Sequence, residues 1–383
     1  SQHWSFKNLV MKKEVIVLNC GSSSVKFAII DAQNGEAGLS GIAESLGNKN
    51  ASLSYKLDGH KEKVALSENA SHSEALNAIQ TIISSTGVKP IAIGHRVVHG
   101  GEKFKQAALV DDSVLKAIED YASMAPLHNM ANLKGIVTAQ KAYPDLPHVA
   151  VFDTAFFQTL PKKAYIYALP MSLYREHGIR RYGFHGTSHK FILDSMAEIL
   201  NRRVEDTSII SAHLGNGCSV SAIEKGRAVD TSLGFIPLEG LVMGTRCGDI
   251  DPSLPGTLQK KLGKTADEIS DLLNKQSGLL GISELSNDCR TLEEAAQQGH
   301  EGALLAIEIF CYRLAKYIAG YMVAVPSLNA IVFTGGIGEN SSLIRQTTLS
   351  YFSHFGITLD EQKNDAARFG QSGQITAANS TTP

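Results

Sequence analysis

Asn19-Cys-Gly-Ser-Ser-Ser-Val-Lys26 joins two short apolar runs, residues 15–18 and 25–30, which are rich in β-branched side chains. Both runs are too short for helices, so the pattern predicts a β-hairpin with a tip of small residues. The tip offers a glycine, three hydroxyl groups and one lysine, which suit phosphate oxygens or the ligand shell of a magnesium ion. An ordinary polar hairpin loop is the alternative. The spacing is not that of a P-loop, because the lysine falls inside the second strand.

The same plan returns about half a chain later, with apolar runs at 208–213 and 218–223 around a polar turn at 214–217. Two such hairpins, each followed by alternating strand and helix patterns, predict an α/β protein made of two related domains that face each other across a cleft. A chain of 383 residues is also too long for one ordinary domain. We predict a first domain over 11–155 and a second over 156–383. Residues 1–10 precede Met11 and are predicted to be a leader or an appended remnant.

Helix starts are marked by two capping boxes, Ser71 with Glu74 and Thr265 with Glu268, and Gly87 is a predicted helix stop. The predicted helices are 71–85, 113–123, 130–142, 188–201, 266–275, 301–323 and 342–354. The predicted strands outside the first hairpin are 91–93, 149–152, 207–212, 218–223, 227–230 and 330–333.

Composition narrows the class of protein. A hydrophobic content of 43% with 19% charged residues and a net charge of −2 describes a soluble globular chain. Such a balance gives no general attraction to nucleic acid or to a membrane surface. Five scattered cysteines without a CxxC pair favour reduced thiols and a cytoplasmic location. We expect no signal peptide, and the sequence contains no run of eighteen apolar residues.

Several charged residues follow predicted strands or lie in glycine-rich turns. Arg96, in Gly-His-Arg-Val-Val-His-Gly-Gly, could hold a carboxylate or phosphate through two parallel hydrogen bonds, or form a surface salt bridge. Asp153 ends an apolar strand and could be catalytic or cap a helix. His185 and His189 are spaced like zinc ligands, but no acidic residue completes the motif. Arg246 lies in a glycine-flanked loop with two carboxylates.

Two further segments complete the set, Asn287-Asp-Cys-Arg290 and the glycine turn 334–340, which follows a predicted strand. Glycine turns of this kind let a nucleotide approach the backbone. Three phosphate-friendly turns, several arginines and a strand-end aspartate indicate phosphoryl transfer, in which positioning and charge neutralisation provide most of the catalysis.

Together with Pro126-Leu-His-Asn129 and Val151-Phe-Asp-Thr-Ala-Phe-Phe157, these segments resemble the acetate kinase family from Val15 to about Gln374. That family belongs to the actin-like ATPase and sugar kinase superfamily. The resemblance implies two actin-like (ribonuclease H-like) domains, with mixed sheets flanked by helices and a nucleotide cleft between them. It also implies reversible phosphoryl transfer from ATP to acetate, giving acetyl phosphate and ADP, and a homodimer.

The resemblance also assigns roles to matching residues. Asn19 would help to hold Mg²⁺ or Mn²⁺. Arg96 and Arg246 would bind the carboxylate and the moving phosphoryl group, His185 would stabilise its oxygens, and Asp153 would be the catalytic carboxylate. The implied pocket for the methyl group of acetate contains Val98, Leu127, Phe184 and Pro237. The implied nucleotide-binding residues are Ser22, Ser24, Lys26, His213, Leu214, Gly215, Asn216, Gly217, Asp288, Cys289, Arg290, Gly336, Ile337, Gly338, Glu339 and Asn340. In related propionate kinases the residue that matches Val98 is typically alanine.

One departure from the family pattern concerns the end of the chain. Family members continue into a segment with a glutamate that helps to bind Mg²⁺ and a final helix that returns to the first domain. This sequence ends at Pro383 before either feature. We therefore expect either a truncated chain or an incomplete magnesium site.

A carboxylate acceptor is already ionised at neutral pH and needs no general base. We therefore expect Asp153 to orient an arginine or the metal. Two other classes remain open at this point. A sugar or glycerol kinase would use Asp153 to accept a hydroxyl proton, and a nucleotide-switch module would keep the nucleotide turns without Arg96 and Arg246 at an acceptor site.

Overall fold

The computed structural model describes residues 13–32, 37–368 and 371–383, without the side chains of Pro126 and Leu127. The predicted leader at 1–10 therefore lies outside the described residues. The chain divides into two compact units, of which the first ends at Ala155 and the second covers Phe156–Pro383. All five cysteines lie in the described part of the chain and are free thiols.

The first unit is built on an eight-stranded sheet in the order β5-β4-β3-β2-β1-β6-β8-β7. Its strands are β1 (Glu14–Cys20), β2 (Val25–Asp31), β3 (Ala37–Glu44), β4 (Ser52–Leu57), β5 (His60–Ala65), β6 (Ala92–Val97), β7 (Ala108–Leu109) and β8 (His148–Phe152). Strands β1 and β2 are antiparallel, with Asn19 opposite Lys26, so the first predicted hairpin is confirmed. Strand β6 is parallel to β1, and β8 is parallel to β6.

The described part of this unit contains three α-helices: α1 (His72–Ser85), α2 (Asp112–Asp120) and α3 (Pro126–Ala142). Alternate residues of β1, among them Ile16, Leu18 and Cys20, are buried in the hydrophobic core as the period of two requires. Helix α3 contacts both β1 and β6. Its approach depends on Gly135, because a Cβ atom there would lie 2.4 Å from the Cys20 sulfur.

The second unit contains a four-stranded sheet in the order β11-β10-β9-β12. Its strands are β9 (Ile209–Leu214), β10 (Cys218–Glu224), β11 (Arg227–Thr231) and β12 (Ala330–Thr334). The antiparallel pairing of β9 with β10 confirms the second predicted hairpin. Its helices are α4 (Lys162–Tyr165), α5 (Met171–His177), α6 (Gly186–Ile199), α7 (Leu254–Leu262), α8 (Ala266–Lys275), α9 (Gly278–Ser283), α10 (Cys289–Gln297), α11 (Glu301–Met322), α12 (Gly335–Asn340), α13 (Ser342–Ser350) and α14 (Glu361–Ala366).

The two sheets share a topology. In the first unit the antiparallel strands β3, β2 and β1 are followed by the parallel strand β6, and in the second unit β11, β10 and β9 are followed by the parallel strand β12. Helices α6 and α11 contact β9 as α3 contacts β1. The predicted α/β class with mixed sheets flanked by helices is therefore confirmed. Within the described ranges, no helix has both the length and the apolar composition needed to span a membrane.

Several helix ends differ from the sequence predictions. Helix α3 starts four residues earlier than predicted, with Pro126 in its first turn, where the missing N–H is not needed. The Thr265–Glu268 capping box is present in full. The Ser71 box is only half formed, because the Glu74 N–H donates to the Ser71 hydroxyl but the Glu74 carboxylate accepts from Ser67. Strands β3 to β5 were not predicted.

Replacing Gly135 with alanine tests the close contact between α3 and β1. The new Cβ would lie 2.4 Å from Sγ and 2.6 Å from Cβ of Cys20, so the helix must shift. We expect a loss of about 1–3 kcal/mol and a melting temperature several degrees lower. Gly320→Ala is the matched control, because a Cβ atom there would have open space around it and alanine favours helix by about 1 kcal/mol. Equal melting temperatures for wild type and Gly135→Ala would contradict the contact.

Candidate active site

The first unit brings Arg96 and Asp153 together at one edge of its sheet. Arg96 lies in β6 and Asp153 directly follows β8, its parallel neighbour. The carboxyl ends of parallel strands meet at the same sheet edge, which is why residues far apart in sequence become neighbours. The Arg96 Nη2 atom donates to both carboxylate oxygens of Asp153, at 3.0 and 3.1 Å. This ion pair joins two residues that the sequence analysis singled out separately.

The Asp153 carboxyl group is buried, whereas about a third of the Arg96 side chain is exposed. Burial raises the pKa of Asp153, although the positive charges of Arg96 and His128 oppose that shift. Its two hydrogen bonds from Arg96 hold the Asp153 carboxyl group in place. Arg96 keeps an exposed portion from which it can reach a second anion.

The glycine–serine turn lies at the same edge of the sheet, after β1, the strand next to β6. It is closed by a hydrogen bond of 2.9 Å from the Gly21 N–H to the Ser24 carbonyl. The side chains of Ser22 and Lys26 are exposed, and those of Asn19 and Ser24 are partly buried. The turn therefore presents hydroxyl groups and an ammonium group to solvent, as an anion-binding loop must.

In the second unit, His185 takes up a strained position at the start of α6. Its backbone has a φ of 60°, in the left-handed region, and it is the N-cap residue of the helix. The ring is fixed by a hydrogen bond of 2.8 Å between Nδ1 and the Ser219 hydroxyl of β10. The same hydroxyl lies 2.8 Å from Nε2 of His189, one helical turn later, so His189 supports the orientation of His185.

Arg246 reaches the same place from the loop that follows β11. Its Nη1 atom donates to the Pro237 carbonyl at 3.0 Å. A Cβ atom on Gly217 would lie 3.5 Å from this Nη1 and 3.3 Å from Nε2 of His185. Gly217 therefore marks the point where the histidine and the arginine converge, and its lack of a side chain keeps that point open.

In the described chain, Arg246 forms no salt bridge with a carboxylate. Burial lowers the pKa of the Arg246 guanidinium, and none of the ion pairs of the described chain includes it. The loop itself is fixed by backbone hydrogen bonds from Ser277 to Thr245 and from Leu279 to Met243. A partly buried cation without a neutralising carboxylate is suited to an anionic ligand.

The glycine turn 334–340 is helical, and most of it forms α12. Gly335 has a φ of +77° and approaches the Leu214 backbone so closely that a Cβ atom would lie 2.5 Å from the Leu214 carbonyl oxygen. Arg345 donates to the carbonyl groups of Gly338 and Glu339, at 2.8 and 2.9 Å, and thereby fixes the turn. Arg345 was not predicted as a site residue, because nothing in its local sequence pattern distinguishes it from a surface arginine of α13.

The segment 288–290 serves mainly as a helix start in the structure. The Asp288 carboxylate caps α10 by accepting from the backbone and the hydroxyl group of Thr291. The Cys289 thiol is buried, so only its backbone could meet a ligand. Arg290 is highly exposed and pairs with Glu294 at 3.7 Å. Nucleoside contacts from this segment remain a prediction.

The four predicted pocket residues divide between the units. Val98 follows β6 and is partly buried in the first unit. Phe184 is buried and Pro237 partly buried in the second unit. Leu127 lies in α3, but its side chain is not among those that the structure describes. The pocket therefore remains a prediction.

The candidate metal ligands are neutral oxygen atoms of the glycine–serine turn and of Asn19, which precedes it. No cluster of three or more His, Cys, Asp or Glu side chains suited to a metal was found among the described residues. The oxygen of Asn19 and the nearby serine hydroxyls are hard ligands of the type that Mg²⁺ takes together with phosphate oxygens. The donor set therefore fits a magnesium ion that arrives with a phosphate ligand.

Two units of shared topology with cation-bearing turns are consistent with an enzyme that transfers phosphoryl groups. The family model described as the acetokinase family matches residues 14–383. The chain therefore belongs to the acetokinase family, and the resemblance found in the sequence is confirmed.

Relatives and solved structures agree with this assignment. Acetate kinase of Shewanella amazonensis is 59% identical over 366 residues, which are 94% of this chain and 92% of that protein. Among solved structures, a propionate kinase from Francisella tularensis has a TM-score of 0.91 at 44% identity and covers 96% of this chain and 94% of its own. Porphyromonas gingivalis acetate kinase has a TM-score of 0.89 at 40% identity and covers 97% of this chain and 94% of its own.

Two buried histidines predict acid sensitivity. Burial lowers the pKa of His189 to about 3, and the charge of His213 adds to this shift. Burial also lowers the pKa of His95 to about 3, and the charge of His148 adds to that shift. Both remain neutral in the folded protein, whereas the unfolded chain protonates them below a pH of about 6.5. Stability is therefore full above that pH and is lost as the pH falls toward 3, by about 1.4 kcal/mol per pH unit for each histidine.

Urea unfolding at a series of pH values between 7.5 and 4.5 would measure this slope. We expect His189→Gln to be less stable at neutral pH but to show a shallower dependence on pH. The exposed His177 provides the control, since His177→Gln should leave the slope unchanged. The same slope in wild type and His189→Gln would show that His189 does not cause the acid sensitivity.

Proposed function

We propose that the protein transfers the γ-phosphoryl group of ATP to acetate, reversibly, giving acetyl phosphate and ADP. The observation that carries the proposal is Arg246, a partly buried cation that has no carboxylate partner in the described chain and converges with His185 on Gly217. The names of the relatives supply the acceptor, since those at 57–59% identity are called acetate kinases.

The chemistry of a carboxylate acceptor explains this residue set. Acetate is ionised at neutral pH, so no base has to remove a proton. The difficulty is repulsion between acetate and the triphosphate, which cationic groups relieve. Arg246, His185 and Lys26 would stabilise the phosphoryl group in flight, and Arg96 would bind the carboxylate. Asp153 would orient Arg96, which supports a positioning role rather than proton abstraction.

Nucleotide binding is assigned to the three glycine turns. Ser22, Ser24 and Lys26 would face the phosphates. Residues 213–217 and 336–340 would bind the phosphates, base and sugar, with a contribution from Asp288 and Arg290. When a magnesium ion is bound, it supplies positive charge at the phosphate oxygens, and Asn19 is the protein group that would help to hold it. We further propose a cytoplasmic homodimer, as the family resemblance implies.

Acceptor choice is the direct test. We expect ADP formation with acetate and much less with sugars or glycerol, because an apolar pocket beside an arginine suits a small carboxylic acid. Propionate should be a poorer substrate and not an excluded one, since one methylene changes specificity by about 1–3 kcal/mol. Val98→Ala should enlarge the pocket, lower the KM for propionate, and raise or preserve that for acetate.

The measurement is kcat/KM for both acids in wild type and in Val98→Ala. Both acids must be compared, because one of the solved structures similar to this chain is called a propionate kinase. A preference of wild type for propionate, or an unchanged ratio of kcat/KM values in Val98→Ala, would contradict the pocket assignment. Activity with sugars alone would indicate that the acceptor is a hydroxyl group.

Arg246→Lys tests the phosphoryl-stabilising role. Lysine keeps the charge but loses the planar fork that can contact two oxygens. Arginines of this kind contribute roughly 10³–10⁵ to turnover, so we expect a large loss of kcat with a modest change in the KM for ATP. Arg203→Lys is the control, because Arg203 is exposed, pairs with Asp206 and has no assigned role in the site. A kcat for Arg246→Lys within threefold of wild type would contradict the assignment.

A further inference from the structure

Helix α3 directs a buried asparagine at the backbone of two candidate binding segments. The Asn132 side chain is only 3% exposed. Its Nδ2 atom donates to the Cys20 carbonyl at 2.8 Å, and its Oδ1 atom accepts from the Val98 N–H at 3.0 Å. One amide group therefore connects the start of the glycine–serine turn with the residue after β6.

The turn depends on such external partners because its carbonyl groups point into the protein. The Gly21 carbonyl lies 2.7 Å from Nε2 of His72, and the Ser23 carbonyl accepts from the Leu46 N–H at 3.0 Å. With the Cys20 carbonyl bound to Asn132, the turn is held through its carbonyl groups. Residues 21–24 themselves are exposed or only partly buried, so the anchored turn still faces solvent.

An asparagine suits this position better than similar residues. It carries a donor and an acceptor on one rigid planar group, and both are used here. Aspartate would keep the acceptor for Val98 but would place a carboxylate oxygen against the Cys20 carbonyl. Alanine would leave a buried carbonyl and a buried N–H without partners, which costs about 1–3 kcal/mol for each group.

We propose that Asn132 is a positioning residue that holds the phosphate-facing turn and the acid-binding strand end at a fixed separation. The inference rests on the proposed function, in which the turn faces ATP and Arg96 with Val98 faces the acid. A single side chain would then affect the binding of both substrates, although it contacts neither of them.

Asn129 provides a matched control one helical turn earlier. It is fully buried, accepts from the His99 N–H at 3.0 Å, and donates to the His99 carbonyl at 2.9 Å and the Ile118 carbonyl at 3.3 Å. It therefore anchors the segment that follows Val98 but makes no hydrogen bond to the glycine–serine turn.

The test compares the KM values of both substrates in three variants of the full chain. Asn132→Ala should raise the KM for ATP and the KM for acetate, each by about threefold to tenfold, the effect of one lost hydrogen bond. Asn132→Asp should raise mainly the KM for ATP, because the bond to Val98 is kept. Asn129→Ala should raise the KM for acetate and leave the KM for ATP within twofold of wild type.

Hydrogen exchange measured by mass spectrometry gives a readout without substrates. Asn132→Ala should speed exchange in the segments 20–25 and 98–101, and Asn129→Ala only in the second. If Asn132→Ala does not fold, Asn132→Asp provides the same measurements with one bond retained.

Unchanged KM values in a folded Asn132 variant, or an equal rise in the KM for ATP in Asn129→Ala, would overturn the inference. If wild type uses ATP but not acetate, the proposed acceptor fails, while exchange and the KM for ATP still test Asn132.

Discussion

Hydrogen bonds from buried side chains to loop backbone are the interaction on which both candidate sites depend. Strand ends leave N–H and C=O groups that no ladder satisfies, and a buried polar group without a partner is costly. In the first unit Asn132 and Thr154 meet this need for Val98 and Gly100. In the second unit Arg345 does so for α12. The loops that carry the candidate functional residues are therefore rigid, because hydrogen bonds with buried side chains hold their backbone.

The same topology supports two different charge arrangements. In the first unit the arginine is paired, since Arg96 donates to a buried Asp153. In the second unit Arg246 is partly buried and has no carboxylate partner in the described chain, and the supporting His189 remains neutral because burial lowers its pKa to about 3. A paired arginine is oriented at low electrostatic cost, whereas an unpaired one is destabilising until an anion arrives. This difference is consistent with one arginine that positions a substrate and another that stabilises transferred charge.

Much of the fold follows from local sequence, but the anchors of the site do not. The two hairpins could be predicted because β-branched runs flank small polar turns, and the Thr265 cap because its box is local. Candidate residues such as Arg96 could be found because they stand at strand ends next to glycines. Asn132 could not, because its partner Cys20 is 112 positions away and an asparagine inside a helix has no distinctive pattern. Glu74 shows that a local motif can also mislead. Its predicted capping box with Ser71 is incomplete, because the Glu74 carboxylate accepts a hydrogen bond from Ser67.

Anchoring by side chains also explains why glycine occurs where the elements come closest. Gly135 lets α3 approach Cys20, and that approach brings Asn132 within hydrogen-bonding distance of the Cys20 carbonyl. Gly217 keeps open the space into which His185 and Arg246 point. In the first case the missing side chain permits packing, and in the second it leaves room for a ligand. The role of a glycine near a site can thus be inferred only once its neighbours are known. The same residue type allows close packing of a helix on a strand in one unit and leaves space for a ligand in the other.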